Sequence, residues 1–230
     1  MKAKGNMYEF ATTWNPLAGE CPHGCIYCST HKLRRFPVID KKYSGDLRID
    51  ENSLSKQPHK FNDIIFVCAQ TDLFADNVPK EHVLKILSNC NNLSLNYFFQ
   101  TKNPERINEF KEFIPIGSIL CCTIESDYIP NHIEIYKGYV PSILSRIEAL
   151  KKIDWITKQI TIEPIMQIFS VPYFASILES TNPIQINIGA NTYKKAKLIE
   201  PTKQSVLDLI EKLEKFTVVK QKSNLQRLLK

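Results

Sequence analysis

Three cysteines in one short loop, Cys21, Cys25 and Cys28, have the type and spacing to do chemistry. They stand as C-x3-C-x2-C within Gly19-Glu20-Cys21-Pro22-His23-Gly24-Cys25-Ile26-Tyr27-Cys28. Proline and glycine around them mark a loop rather than a helix or strand. Thiolates converging from one loop are ligands first, and a 4Fe–4S cluster usually takes four of them. Three would leave one iron open to a substrate or cofactor. Zinc is the competing reading, because Cys25-x2-Cys28-x2-His31 with Cys21 upstream could make a tetrahedral Cys3His set. A zinc site normally draws on two separated ligand pairs, and the chain has no second C-x2-C or H-x3-H pair. A disulfide reading fails because three cysteines cannot all pair locally. The cluster reading is preferred.

These ligands need a scaffold. Residues 8–14 alternate in strand fashion and deliver the chain into the loop. A short basic helix over 29–35, stopped by Pro37, and a long irregular polar connection over 37–60 follow, with an extended piece at 47–49. Apolar runs of strand length then recur at 63–69, 95–99, 119–124, 159–162 and 184–188. Helical patterns over 79–89, 104–113, 140–152, 172–179 and 201–215 alternate with them, several opened by proline. Six β-then-α units imply a parallel sheet covered by helices. Periodicity alone does not choose between a flat doubly wound sheet and a partial barrel. In β/α barrels the active site gathers at the carboxyl ends of the strands. Each apolar run here ends in polar residues: Asp72, Thr101 with Lys102, Glu125, Glu163, and Asn187 with Asn191.

With Tyr27 before Cys28 and Thr13-Trp14-Asn15-Pro16 ahead of it, the loop resembles that of radical S-adenosylmethionine (radical-SAM) enzymes. The wider phrase resembles a family encoded by phages and prokaryotes that is distantly similar to spore photoproduct lyase. The resemblance implies an α/β fold, a partial (β/α)6 TIM-like barrel of the radical-SAM type. It implies a 4Fe–4S cluster on Cys21, Cys25 and Cys28 whose open iron chelates S-adenosyl-L-methionine (SAM). SAM would be cleaved to a 5′-deoxyadenosyl radical that abstracts hydrogen from a substrate, with an electron from a donor such as flavodoxin or ferredoxin.

Residue by residue, Thr71-Asp72-Leu73-Phe74 with Val78-Pro79 looks like the strand-two motif, which makes Asp72 an acceptor for the SAM ammonium. Gln100-Thr101-Lys102-x-Pro104-Glu105-Arg106 matches the strand-three phrase, placing Thr101 and Lys102 at the cofactor, with Lys102 either offsetting the SAM carboxylate or simply solvated. Glu125 corresponds to a polar group on the SAM ribose, and Glu163-Pro164 to a fifth-strand motif for SAM or substrate. Tyr27 would pack near the adenine or shield the cluster. The resemblance runs from Thr13 to about Pro201, with two departures. Cys28 is followed by Ser29 instead of alanine, and Gly189-Ala190-Asn191 replaces a Gly-Gly-Glu-like phrase. A carboxylate contact at the sixth strand, and any inherited substrate, therefore do not carry over.

The 230 residues can bury one sizeable core, which predicts a single radical-SAM core domain over 1–230 with a basic C-terminal tail over 215–230. That tail carries Lys215, Lys220, Lys222, Arg227 and Lys230 and no acid, so it reads either as a nucleic-acid contact or as a solvated terminal helix. No apolar run approaches the ~20 residues that span a bilayer. The start leads into no signal-peptide core, and seven cysteines without a secretory signal suggest the cytoplasm. Cys121 and Cys122 are adjacent in a strand and should face opposite ways, and Cys68 and Cys90 are scattered, which argues against a second cluster. His23, His59, His82 and His132 read as surface or loop residues. A nucleic-acid or nucleotide substrate leads and a peptide or protein comes second. The rival from another class is a zinc-stabilised nucleic-acid-binding module without catalysis.

Overall fold

Seven parallel strands in sequence order frame the structure, a computed structural model that describes residues 11–56, 64–90, 95–130 and 134–230. Strand β1 (Ala11–Trp14) leads to β2 (Leu17–Ala18), then α1 (Thr30–Leu33), α2 (Pro37–Lys42), β3 (Arg48–Ile49) and α3 (Glu51–Leu54). The alternation that follows is β4 (Ile64–Val67), α4 (Lys80–Ser88), β5 (Asn96–Thr101), α5 (Ile107–Phe110), β6 (Ile119–Thr123) and α6 (Ile143–Lys152). It continues through β7 (Lys158–Ile162), α7 (Val171–Glu179), β8 (Gln185–Ile188), α8 (Lys203–Leu213) and β9 (Val218–Gln221). The sheet order is β1-β4-β5-β6-β7-β8-β9, while β2 and β3 form a small antiparallel pair beside it. Because no strand reverses the order, every crossover adds its strand on the same side and the twist accumulates in one sense. The result is an α/β half-barrel, the expected partial TIM-like barrel.

The period-two alternation of the strands sorts their side chains. Ile65, Val67, Tyr97, Phe99, Leu120, Cys122, Ile160, Ile162, Ile186 and Ile188 pack in one core with Ile86 of α4, Ile147 of α6, Phe174 of α7 and Leu209 of α8. Phe66, Phe98 and Cys121 form a separate small cluster. Cys121 and Cys122 thus lie on opposite faces, as their adjacency requires. Three helices are started by hydroxyl caps: Ser142 accepts from Ser145 N, Ser170 from Tyr173 N and Thr202 from Ser205 N. Each cap is worth ~1 kcal/mol.

Two expectations change. The stretch after Pro37 is more than an irregular connection, because Pro37 sits at the start of α2, where its missing N–H costs nothing. Asp50 then caps α3 through Ser53 N. The C-terminal residues after Lys215 are also not one solvated terminal helix, since a strand comes first and only a short 3-10 helix follows, over Ser223–Leu228. Val218–Gln221 pair with Gln185–Ile188 as a seventh strand. Two valines are too short an apolar run to announce a strand, and on a mostly exposed edge the backbone of β8 supplies the pairing. Residues 8–10 and 63 of the expected strands, with His59 and His132, lie outside the described residues. Among the described residues no helix is long and apolar enough to cross a membrane.

Candidate active site

The cysteine loop leaves the carboxyl end of β1 and is tied down at both ends. Trp14 is buried, and its indole N–H donates to Ser53 O at 2.8 Å. Asp50 N donates to Pro16 O at 2.8 Å. Gly19 has φ +97°, and a Cβ there would stand 2.4 Å from Asp46 O, so only glycine makes that turn. Past the turn the loop pairs with residues 135–138. Ile26 N donates to Ile135 O at 3.0 Å, and Gly138 N to His23 O at 3.2 Å. That approach needs Gly138, whose added Cβ would lie 1.8 Å from Pro22 O. Apolar contacts finish the seat: Cys25 and Tyr27 pack with Ile135, Met166 and Ala196, from three other strand-end segments.

Glu125, just beyond β6, is the centre of the site's electrostatics and is fully buried. Tyr27 donates to its Oε1 at 2.5 Å and Tyr136 at 2.8 Å, and Arg146 Nη1 donates to Oε2 at 2.7 Å. Lys102 Nζ stands 3.6 Å from Oε1 and 5.4 Å from the centre of the Tyr27 ring. Burial alone would raise this carboxyl, but the Arg146 and Lys102 charges outweigh it and hold it down to about 2. Burial works against the Lys102 ammonium too, yet the negative charges of an ionised Cys25 and of Glu125 raise its pKa above the ordinary value. Burial pushes Tyr27 and Tyr136 up, so both remain donors. Arg146 reaches this point from α6, crossing at Thr123 O (2.5 Å).

Asp72 has both carboxylate oxygens taken. Oδ2 accepts from His23 Nε2 (2.8 Å), Thr101 Oγ1 (2.9 Å) and Lys102 N (2.8 Å), and Oδ1 accepts from Phe74 N (2.9 Å). Burial opposes its charge, but these bonds lower its pKa. Asp72 therefore ties His23 of the cysteine loop to the end of β5 through Oδ2, while Oδ1 accepts a single bond. Thr101 is similarly engaged, since its Oγ1 also accepts from Asn103 N at 2.8 Å. The rest of the strand-three phrase clamps the loop after Asp72: Asn103 donates to Asp76, and Arg106 to the carbonyls of Ala75 and Val78. His23, expected as a surface or loop residue, lies in the loop and is 2 % exposed.

Glu163 ends β7 across the mouth and accepts from Lys222, just past β9. Gly189 leaves room for that pair, because its added Cβ would lie 3.0 Å from Glu163 Cδ and 3.1 Å from Lys222 Cδ. Asn187 is bonded to Gln159 and Gln185 along the sheet, and Asn191 folds back on Tyr193 O and Ala196 O. Gln100 donates to Thr123 Oγ1 at 3.1 Å. Buried Thr161 Oγ1 and Asn15 Oδ1 have no hydrogen-bond partner.

Sequence reasoning missed Tyr136 and Arg146, and gave His23, Arg106 and Lys222 no place in the site. His23 had a signal, its place between two loop cysteines. A helix arginine such as Arg146 gives none.

The donor set can be tested against a metal group. All three loop thiols are free. Burial pushes Cys21 up to about 12, with Asp72 adding, and Cys25 up to about 11, partly offset by Lys102. Ligation must therefore displace their protons. His23 is held between Asp72 and Tyr139 O, and His31 Nε2 lies 3.0 Å from Cys25 O. Among the described residues no three His, Cys, Asp or Glu side chains gather around one point as a single ion would need. Tetrahedral zinc draws its donors to ~2.0–2.3 Å from one centre. A four-iron cube instead gives each thiolate its own iron, so donors on one loop can stand further apart. Three thiols on one loop, with both ring nitrogens of His23 taken, suit the cube.

The family described as "Protein of unknown function (DUF5131)" matches residues 7–174. No curated protein matches by sequence. Solved structures of spore photoproduct lyase share the fold. One, a double mutant with bound AdoMet and dinucleoside spore photoproduct, matches at TM-score 0.53 and 14% identity. Another, complexed with dinucleoside spore photoproduct, matches at TM-score 0.53 and 15% identity. Each match covers 94% of this chain and 64% of the solved chain, so this chain spans less than two thirds of their length.

Proposed function

The chain belongs to the DUF5131 family, and from that premise we propose that it is a radical-SAM enzyme acting on a nucleotide or nucleic-acid substrate. One observation carries the reading: a C-x3-C-x2-C loop seated at the carboxyl end of β1, in a half-barrel similar in fold to a lyase solved with AdoMet. Cys21, Cys25 and Cys28 would hold the 4Fe–4S cluster. With an electron from a donor such as flavodoxin or ferredoxin, that cluster supplies reductive cleavage of SAM to the 5′-deoxyadenosyl radical that takes hydrogen from the substrate.

The chain's own residues have distinct tasks. Lys102 puts a largely buried but still accessible cation beside Cys25 and Glu125, where it offsets the SAM carboxylate. Glu125 holds Tyr27 and Tyr136, so it positions the cysteine loop and the shielding Tyr27 ring instead of reaching a ribose. Asp72 and Thr101 fix the backbone of Lys102 and the ring of His23, so they act as positioning groups. Glu163, paired with Lys222, takes SAM or substrate on the opposite side of the mouth. Residues 1–230 make one radical-SAM core working in a reducing cytoplasm, which suits seven free thiols.

Anaerobic iron and sulfide counting, EPR of the dithionite-reduced protein with and without SAM, and a SAM-cleavage assay test this. About four irons per chain, a SAM-perturbed spectrum and 5′-deoxyadenosine are expected. Stoichiometric zinc without iron after reconstitution would overturn the reading in favour of a zinc-binding module.

A further inference from the structure

The rim around the mouth carries two features that SAM chemistry does not use. The first is basic. Residues 29–35 and 192–199 contain no acid, and folding lays them together: Lys32 donates to Thr192 O, and the His31 ring lies 5.6 Å from that of Tyr193. Lys194, Lys195 and Lys197 are exposed on this loop, and none forms an ion pair among the described residues. The second is aromatic. Tyr128 and Phe169, in the loops after β6 and β7, are 55% and 53% exposed, with ring centres 5.6 Å apart and planes at 75°.

That pair is held in place. Asp127, 4% exposed, accepts from Phe169 N at 3.0 Å and Ser170 N at 2.7 Å. Ser126 donates to Gln167 O at 2.5 Å. Gln167 N in turn donates to Ile199 O at 2.8 Å, which joins the aromatic loop to the lysine loop. Unpaired lysines alone would suit any polyanion. Rigid exposed rings beside them add what an acidic peptide or a lipid headgroup cannot use and a nucleobase can, a stacking surface.

We propose that this rim binds single-stranded nucleic acid, the lysines taking phosphates and the Tyr128–Phe169 pair stacking a base. The proposal deepens the nucleic-acid part of the proposed function by assigning a polynucleotide, while the binding itself does not depend on radical chemistry.

The test is fluorescence anisotropy of a labelled short single strand on the full, reconstituted chain across a salt series. Lys194→Ala/Lys195→Ala/Lys197→Ala should lower the slope of log K against log salt by about 2, since each lost phosphate contact on a single strand removes ~0.7. Tyr128→Ala/Phe169→Ala should weaken binding roughly ten-fold or more while leaving the slope unchanged. Circular dichroism and SAM cleavage without substrate serve as folding controls for both variants. An unchanged slope in the lysine variant, unchanged affinity in the aromatic variant, or duplex bound as tightly as single strand would overturn the proposal. Strand binding without SAM cleavage would uphold the rim and sink the enzyme; SAM cleavage without strand binding would do the reverse.

Discussion

Replacing Arg146 with methionine keeps the long apolar stem of a fully buried side chain and deletes the charge facing Glu125. The carboxylate then has Lys102, 3.6 Å away, as its remaining cation, and Thr123 O loses a donor. Breaking a buried pair from one side costs about 3–5 kcal/mol. Linkage gives a similar size. Glu125 is held at about 2 against an ordinary 4.5, a difference of 4.5 − 2, and at 1.36 kcal/mol per unit this is about 3 kcal/mol, with Arg146 the largest favourable contributor. Urea unfolding followed by the fluorescence of Trp14 and Trp155 should lose about 3–5 kcal/mol. Glu125→Gln/Arg146→Met should recover part of that loss, because no buried charge is left stranded. The pH dependence gives a second arm. A depressed carboxyl adds stability that is fully present above pH 4.5 and is lost as pH falls toward about 2. Without Arg146, burial draws the folded pKa back up and that acid-side loss shrinks. A cost below about 1 kcal/mol, or an unchanged profile between pH 4.5 and 2, would refute the reasoning.

Tyr27→Phe removes a 2.5 Å bond to a charged acceptor; by urea unfolding it should cost about 1.5–3 kcal/mol, and a cost indistinguishable from zero would break the link between Glu125 and the cysteine loop. Gly138→Ala sets a Cβ 1.8 Å from Pro22 O, so iron bound per chain should fall sharply, whereas Gly45→Ala, with nothing within 4 Å, should cost only about 1–2 kcal/mol for its φ of +72° and retain its iron. Asp50→Ala removes the α3 cap and the 2.6 Å pair with Lys42, for about 1–2 kcal/mol in urea melts. Burial opposes the Asp50 charge, but bonds from Lys42 and Ser53 hold it down to about 2. Its stabilisation is therefore present above pH 3.8 and lost as pH falls toward 2, and the difference between wild type and variant should vanish over that window.

Much of the fold was legible because period and punctuation are local. Apolar runs such as Ile64–Val67 and Ile119–Thr123 mark strands wherever both faces are covered, and Pro104 and Pro172 mark helix starts. The same logic failed at Val218–Gln221, where pairing with β8 outweighs a weak local preference, and at Pro37, which read as a stop and is a start.

The sequence by itself determined that three thiols share one loop, since C-x3-C-x2-C is a local property, and it determined that polar residues would end each strand. It did not determine what those residues do. Asp72 read as an acceptor for the SAM ammonium and Thr101 as a residue at the cofactor; in the fold they bond each other and Asp72 also bonds His23, while Glu125 is met by Arg146 from α6 and by Tyr136 from the segment facing the loop. Lys222 reads as part of a solvated tail and instead closes on Glu163. The physical reason is burial. A carboxylate taken out of water must be paired and hydrogen-bonded, and its partners are whichever donors the packing brings within ~3 Å. Only the tertiary structure decides which those are.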